Sequence, residues 1–237
     1  MHPIAGLVCA ICGERLASPY TVSEGVARCG ACQRLEPFFA KAVAYGSYEG
    51  GLRELIHLLK YEQVRPAANV LGRMLGEAIA TLPPRTEDLP VLLPVPLHAA
   101  KLRQRGFNQS ELIARAALKS PALASLPLHL HGSVLERVRP TESQTGLTRH
   151  QRRENIRGAF RVRDAEAVAG RTVLLVDDVF TTGTTASECA RVLRKAGAAQ
   201  VWVATVARVL RPEVSFAVPE NASQVEEPAP RAMAAGV

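Results

Sequence analysis

The stretch TVLLVDDVFTTGTT, Thr172 to Thr185, constrains this chain more than any other. An apolar run without polar alternation is what a strand buried on both faces needs, and such strands belong to parallel sheets. The run stops at Asp177 and Asp178. It then passes Thr181, Thr182, Gly183, Thr184 and Thr185 into TASECARVLRKAG, which has the apolar spacing of a helix and a glycine, Gly197, at its end. In an open parallel sheet, ligands bind beyond the carboxyl ends of the strands, where this turn lies.

The turn and the acids call for different partners. Gly183 permits a conformation in which successive N–H groups converge, and the start of the helix and the hydroxyls add to the pull on an anion. That combination describes a phosphate cup. No Gly-Lys-Ser/Thr follows it, and no Gly-x-Gly-x-x-Gly precedes it, so neither a Walker loop nor a dinucleotide fingerprint is present. Two carboxylates beside a phosphate repel it unless they face something else. Vicinal sugar hydroxyls are natural partners, and the pair would attract Mg2+ through water. The expected ligand is a 5-phosphorylated ribose with free 2- and 3-hydroxyls; the plainer alternative is a strand end whose acids cap a helix.

Four of the five cysteines form two pairs, Cys9-x2-Cys12 and Cys29-x2-Cys32, separated by 16 residues. Each pair presents two thiolates from a tight turn, and two such turns make a closed tetrahedral site for structural Zn2+. Two disulfides are the alternative, which a reducing compartment disfavours. Cys189 falls within a predicted helix and reads as a small core residue.

Along the rest of the chain, KAVAYGSY (41–48) reads as a strand and GLRELIHLLK (51–60) as a helix with Leu52, Leu55, Ile56 and Leu59 on one face. PAANVLGRMLGEAIATL (66–82) is a second helix with Val70, Leu71, Met74, Leu75, Ala78 and Ile79 as its stripe. A loop at 83–90 precedes the short strand VLLPVP. NQSELIARAALK follows as a helix, with Asn108 as N-cap and Glu111 in a capping-box position. SVLERVR, AFRVR and AQVWVATVARV are further strands. Strands alternating with helices give an α/β fold, a mainly parallel sheet flanked by helices, with a small N-terminal zinc ribbon. The expected divisions are a four-cysteine ribbon at 1–36, the α/β domain at 37–211 and a disordered tail at 212–237, rich in Pro, Ala and Glu.

No apolar run approaches the ~20 residues of a membrane span. The N-terminus lacks a signal-peptide pattern, so a cytoplasmic location without membrane association is expected. The net charge of +7 reflects arginine, with eight arginines between Arg137 and Arg163. Such a segment suits nucleic acid, a small polyanion or a solvated loop, and charge alone does not separate these.

The stretch VLLVDDVFTTGTT resembles the 5-phosphoribosyl-1-diphosphate (PRPP) motif of type I phosphoribosyltransferases. Residues 9 to about 210 resemble the ComF family, which joins a zinc ribbon to such a domain. The shared stretches are the cysteine pairs, LKY (59–61), LLPVPLHAAKLRQRGFNQSELIA (92–114), RPTESQTGLTRHQRRENIRGAF (139–160) and the opening motif. The resemblance implies that Asp177 and Asp178 hold the ribose hydroxyls and that Thr181–Thr185 take the 5-phosphate. It implies a diphosphate loop bearing Lys101, Arg103 and Arg105, and a mobile closing loop bearing Thr141, Gln144, Arg149 and Arg153. It also implies Mg2+ carried with PRPP, a role in competence and DNA uptake, and a DNA helicase as partner. Two functions follow as expectations. One is a phosphoribosyltransferase with an unidentified acceptor; the other is a non-catalytic sensor of PRPP or a nucleotide that engages single-stranded DNA or the helicase.

Overall fold

The computed structural model describes residues 4, 6–16, 22–23, 26–83, 90–126, 128–141 and 148–210. The expected tail at 212–237, most of the 83–90 loop and Gln144 lie outside the described residues. In chain order the elements are β1 (Val22–Ser23), β2 (Val26–Ala27), α1 (Gly30–Arg34), β3 (Lys41–Ser47), α2 (Gly50–Tyr61), α3 (Ala67–Ala80), β4 (Val91–Pro94) and α4 (Ala99–Arg105). They continue with α5 (Gln109–Ala117), β5 (Leu135–Arg137), α6 (Arg149–Ile156), β6 (Phe160–Val162), β7 (Thr172–Phe180), α7 (Thr184–Lys195) and β8 (Gln200–Arg208).

The main sheet has four strands in the order β3-β8-β7-β4, all parallel. Its two faces sort by the two-residue period of a strand. Leu92, Leu174, Val176, Trp202, Ala204 and Val206 face one core together with buried residues of α2, α3 and α5. Val91, Leu93, Val173, Leu175, Val201 and Val203 face the other, with Ala186, Cys189, Ala190 and Leu193 of α7. Burial on both faces explains why these strands read as unbroken apolar runs. Helices α3 and α5 approach closely because α3 has Gly72 where a Cβ would overlap Ala116, and Gly76 where it would overlap Ser120.

The four cysteines belong to the α7-side core rather than to a core of their own. Backbone bonds tie their segment to the sheet, with Ala42 N–H donating to Ile11 O at 2.6 Å. Gly13 turns the chain after Cys12 at φ 68°.

Three features depart from the sequence expectation. The strands expected at SVLERVR and AFRVR form an antiparallel ribbon with one another, Leu135 opposite Val162 and Arg137 opposite Phe160, outside the parallel sheet. The basic segment after VLLPVP is the helix α4 and not a loop: the His98 side chain accepts from Ala100 N–H and Gly106, at φ 79°, ends it. With only Arg105 buried in α4, no apolar stripe announced this helix. The arginine-rich segment is helical over α6, whose start is a complete capping box between Thr148 and Gln151. No helix among the described residues is long and apolar enough to cross a membrane.

Candidate functional site

Strand β7 carries Asp177 and Asp178 at the carboxyl end of the sheet, on opposite faces of the strand. Asp177 is half-buried. Its Oδ1 accepts from Ser110 Oγ, at the start of α5, and from Asp178 N–H, each at 2.9 Å. Asn108 places that helix: its side chain caps Ser110 N–H and donates to Val95 O. Glu111 pairs with Arg115 and does not close the expected capping box. Asp178 is 4% exposed. Its Oδ1 accepts from Val179 N–H at 2.9 Å, and its Oδ2 meets the Lys60 ammonium of α2.

Burial dominates the electrostatics of this group. Burial raises the Asp177 carboxyl above the usual range, opposed by the Lys60 charge, the Ser110 hydrogen bond and Arg137. Lys60 is lowered to about 8, again chiefly by burial; the Asp177 charge opposes that shift, and Arg105 and Lys101 add to it. Lys101 is lowered by burial and by its neighbours Arg105 and Arg137. Lys101 and Arg105 therefore lie near enough to Lys60, and Arg137 near enough to Lys101, to disfavour each other's charge beside the carboxylates. That surplus of positive charge suits a polyanion.

The expected diphosphate residues divide. Arg105 is buried, donates to Gln109 Oε1 at 2.5 Å and lies over the Tyr61 ring, while Lys101 sits on the exposed side of α4 yet couples to the cluster. Arg103 is exposed, and nothing described links it to the cluster. Of the expected closing loop, Thr141 receives a hydrogen bond from Arg137. Arg149 and Arg153 lie on the helix α6, and the side chain of Arg149 is outside the described residues.

Gly183 is the N-cap of α7 at φ 75°, and a Cβ there would stand 2.5 Å from Phe180 Cζ, so both conformation and space require glycine. Thr182 and Thr184 share a hydrogen bond of 2.7 Å. Phe180, under the turn, is packed edge-on by Phe39 and covered by the Arg208 guanidinium 4.6 Å from its centroid. Arg208 in turn donates to Cys12 O at 2.5 Å and to Glu14 Oε2 at 2.9 Å. The cysteine cluster and the turn are thus joined through two side chains.

The sulfurs of Cys9, Cys12, Cys29 and Cys32 all lie within 4.8 Å of one another, and none is in a disulfide. Tetrahedral Zn–S bonds of about 2.3 Å place sulfurs ~3.8 Å apart, so the four buried thiols fit Zn2+. Cys189 is fully buried in α7, and burial pushes its thiol well up, as suits a neutral core residue.

A cleft of about 730 Å3 opens between the cysteine segment, α6 and the start of α7. It touches Thr181–Thr184 but neither aspartate, whereas the hollow lined by Asp177 and Thr205 measures only about 20 Å3.

Sequence reasoning gave no role to Lys60, Ser110, Arg137, Phe180 or Arg208. Lys60 lay within LKY, a shared stretch, but only the packing of α2 against the sheet brings it to Asp178. Ser110 was legible as a helix N-terminal residue and not as a ligand of an acid 67 positions away.

The sequence model of the phosphoribosyl transferase domain family matches residues 114–222. Fold and motif therefore define a protein carrying a phosphoribosyltransferase domain with a four-cysteine cluster before it. Competence protein F of Haemophilus influenzae is 31% identical over 219 residues, covering 88% of this chain and 93% of that protein. DNA utilization protein YhgH of Escherichia coli strain K12 is 34% identical over 185 residues, covering 77% of this chain and 78% of its own. The chain belongs to the competence protein F family. Among solved structures, the allosteric regulatory enzyme of purine biosynthesis aligns at TM-score 0.35 and 23% identity, over 60% of this chain and 26% of that one. A Trypanosoma cruzi hypoxanthine phosphoribosyl transferase aligns at TM-score 0.35 and 16% identity, over 63% and 67%.

Proposed function

We propose that this chain binds PRPP and transfers its phosphoribosyl group to an acceptor, in a competence or DNA-utilization context like that named for its relatives. The observation that carries the reading is the juxtaposition, at the carboxyl end of the sheet, of a carboxylate pair, a glycine-capped helix start and a group of cations, Lys60, Lys101, Arg105 and Arg137.

The 5-phosphate sits on the Thr181–Thr185 turn, where α7 amides without helical partners and the threonine hydroxyls donate to it. The ribose hydroxyls meet the carboxylate pair. Asp177 is the accessible member, because its Oδ2 has no bonded partner among the described residues, while Asp178 is engaged by Lys60. The diphosphate extends toward Lys101, Arg105 and Arg137, whose charges favour its departure as negative charge accumulates on it. Mg2+ bound with the diphosphate would be met by Asp177 through water and would share that neutralisation. Ser110 and Lys60 hold the two carboxylates in place.

Incubation with PRPP, Mg2+ and a panel of nucleobases and aromatic acceptors tests the reading by diphosphate release. Release that depends on acceptor and on Asp177 supports transfer. Saturable PRPP binding without release on any acceptor supports a sensor instead, and absence of PRPP binding removes both.

A further inference from the structure

The cleft beside the cysteine cluster has a charge balance that its own side chains leave unsettled. Four arginines and two glutamates line it. Glu14 is taken by Arg208, and Glu188 by Arg191, whose Nε and Nη2 donate at 2.8 Å to its two oxygens. Glu188 also accepts from Gly158 N–H. Arg153 of α6 and Arg157, which caps the end of that helix, form no ion pair with any described residue, although Arg157 lies near enough to Glu188 to help lower its carboxyl.

Part of the lining is apolar. Leu35 is 55% exposed and Phe38 54%, unusual values for large apolar side chains on a concave surface. Both parts are fixed by hydrogen bonds. Phe38 N–H donates to Ser187 Oγ at 3.3 Å, and Arg139 ties down the end of α6 by donating to Asn155 O and Arg157 O. A volume of about 730 Å3 is that of a small-molecule site.

We propose that this cleft binds a planar aromatic anion, its ring against Phe38 and Leu35 and its acidic group between Arg153 and Arg157. A flat ring matches the exposed phenyl face. Guanidinium groups at exposed positions bind carboxylate through paired N–H donors without the desolvation that a buried pair incurs. The wall formed by Thr181–Thr184 sets such a ring beside the turn assigned to the 5-phosphate. That the ring is the acceptor rests on the phosphoribosyl reading; that it binds does not.

The probe is 2-naphthoate, titrated by calorimetry and by saturation-transfer NMR into the full zinc-loaded chain. Controls are 2-naphthamide, cyclohexanecarboxylate and inorganic phosphate. The naphthoate binds, and each control binds at least ~10-fold more weakly, the loss expected when a charge-assisted contact or the stacking surface is missing. Arg153→Met with Arg157→Met lowers naphthoate affinity at least ~10-fold, and so does Phe38→Ser. These positions are exposed, and circular dichroism and melting establish that each variant folds. No naphthoate binding at millimolar concentration, equal binding of the naphthamide, or affinity unchanged in the arginine variant each overturns the proposal. PRPP is titrated separately into the same protein, so loss of one ligand and not the other shows which reading has failed.

Discussion

Replacing Arg208 with methionine is the sharpest perturbation of the link between the cysteine cluster and the turn. Arg208 is 3% exposed and Glu14 6%, so the substitution removes a cation from beside a buried carboxylate. It also removes the donor to Cys12 O and the cation over Phe180. Breaking a buried pair by deleting one partner costs about 3–5 kcal/mol. In a domain of this size that is a fall in Tm of ~10 °C. Urea unfolding of the zinc-loaded protein gives the free energy. Adding Glu14→Gln to Arg208→Met recovers more than ~1 kcal/mol, because the buried negative charge is removed together with the cation that faced it. A loss under ~1 kcal/mol for Arg208→Met, or no recovery in the double variant, would refute the reasoning.

Further outcomes follow from the same geometry. Gly183→Ala forces a Cβ into the Phe180 ring at positive φ, and should lower stability by ~1–3 kcal/mol; a melting temperature equal to wild type contradicts the packing under the turn. Lys60 has a folded value of about 8 against an ordinary 10.5, so the native state holds fewer protons than the unfolded chain between those values. Stability therefore rises with pH across that window by up to ~3 kcal/mol, and Lys60→Met removes this part of the slope, as urea melts at pH 7.5 to 10.5 would show. An identical slope in the variant counts against a buried Lys60. Metal analysis should find about one zinc per chain, falling in Cys29→Ser; a zinc-free protein with disulfides among these cysteines contradicts the cluster.

The parts of the fold that were legible in the sequence are those with strong local signals. The β7 run, its turn and α7 carry apolar continuity, Gly183 and helical spacing in one stretch. The cysteine pairs carry their chemistry in their spacing, and they converge. The short helix α4 was illegible because nearly all of it is solvated. The ribbon of β5 and β6 was read as two strands, but three-residue strands do not encode which neighbours they join. In α6 the T-x-x-Q signal was present, and the density of arginines masked it. The contacts that complete the site, Lys60 on Asp178, Ser110 on Asp177 and Arg208 on Phe180, join residues far apart in the chain. They are products of packing, and no local pattern contains them.

The central claim is that the Asp177–Asp178 pair and the Gly183 turn form a 5-phosphoribosyl site. Calorimetric titration of the chain with PRPP in Mg2+ tests it most directly, beside the Asp177→Asn, Asp178→Asn double variant. The account predicts saturable one-to-one binding in the wild type, weakened at least ~10-fold in the variant, as expected when charged hydrogen-bond acceptors are lost. A wild-type protein that does not bind PRPP, or a variant that binds it equally well, would contradict it.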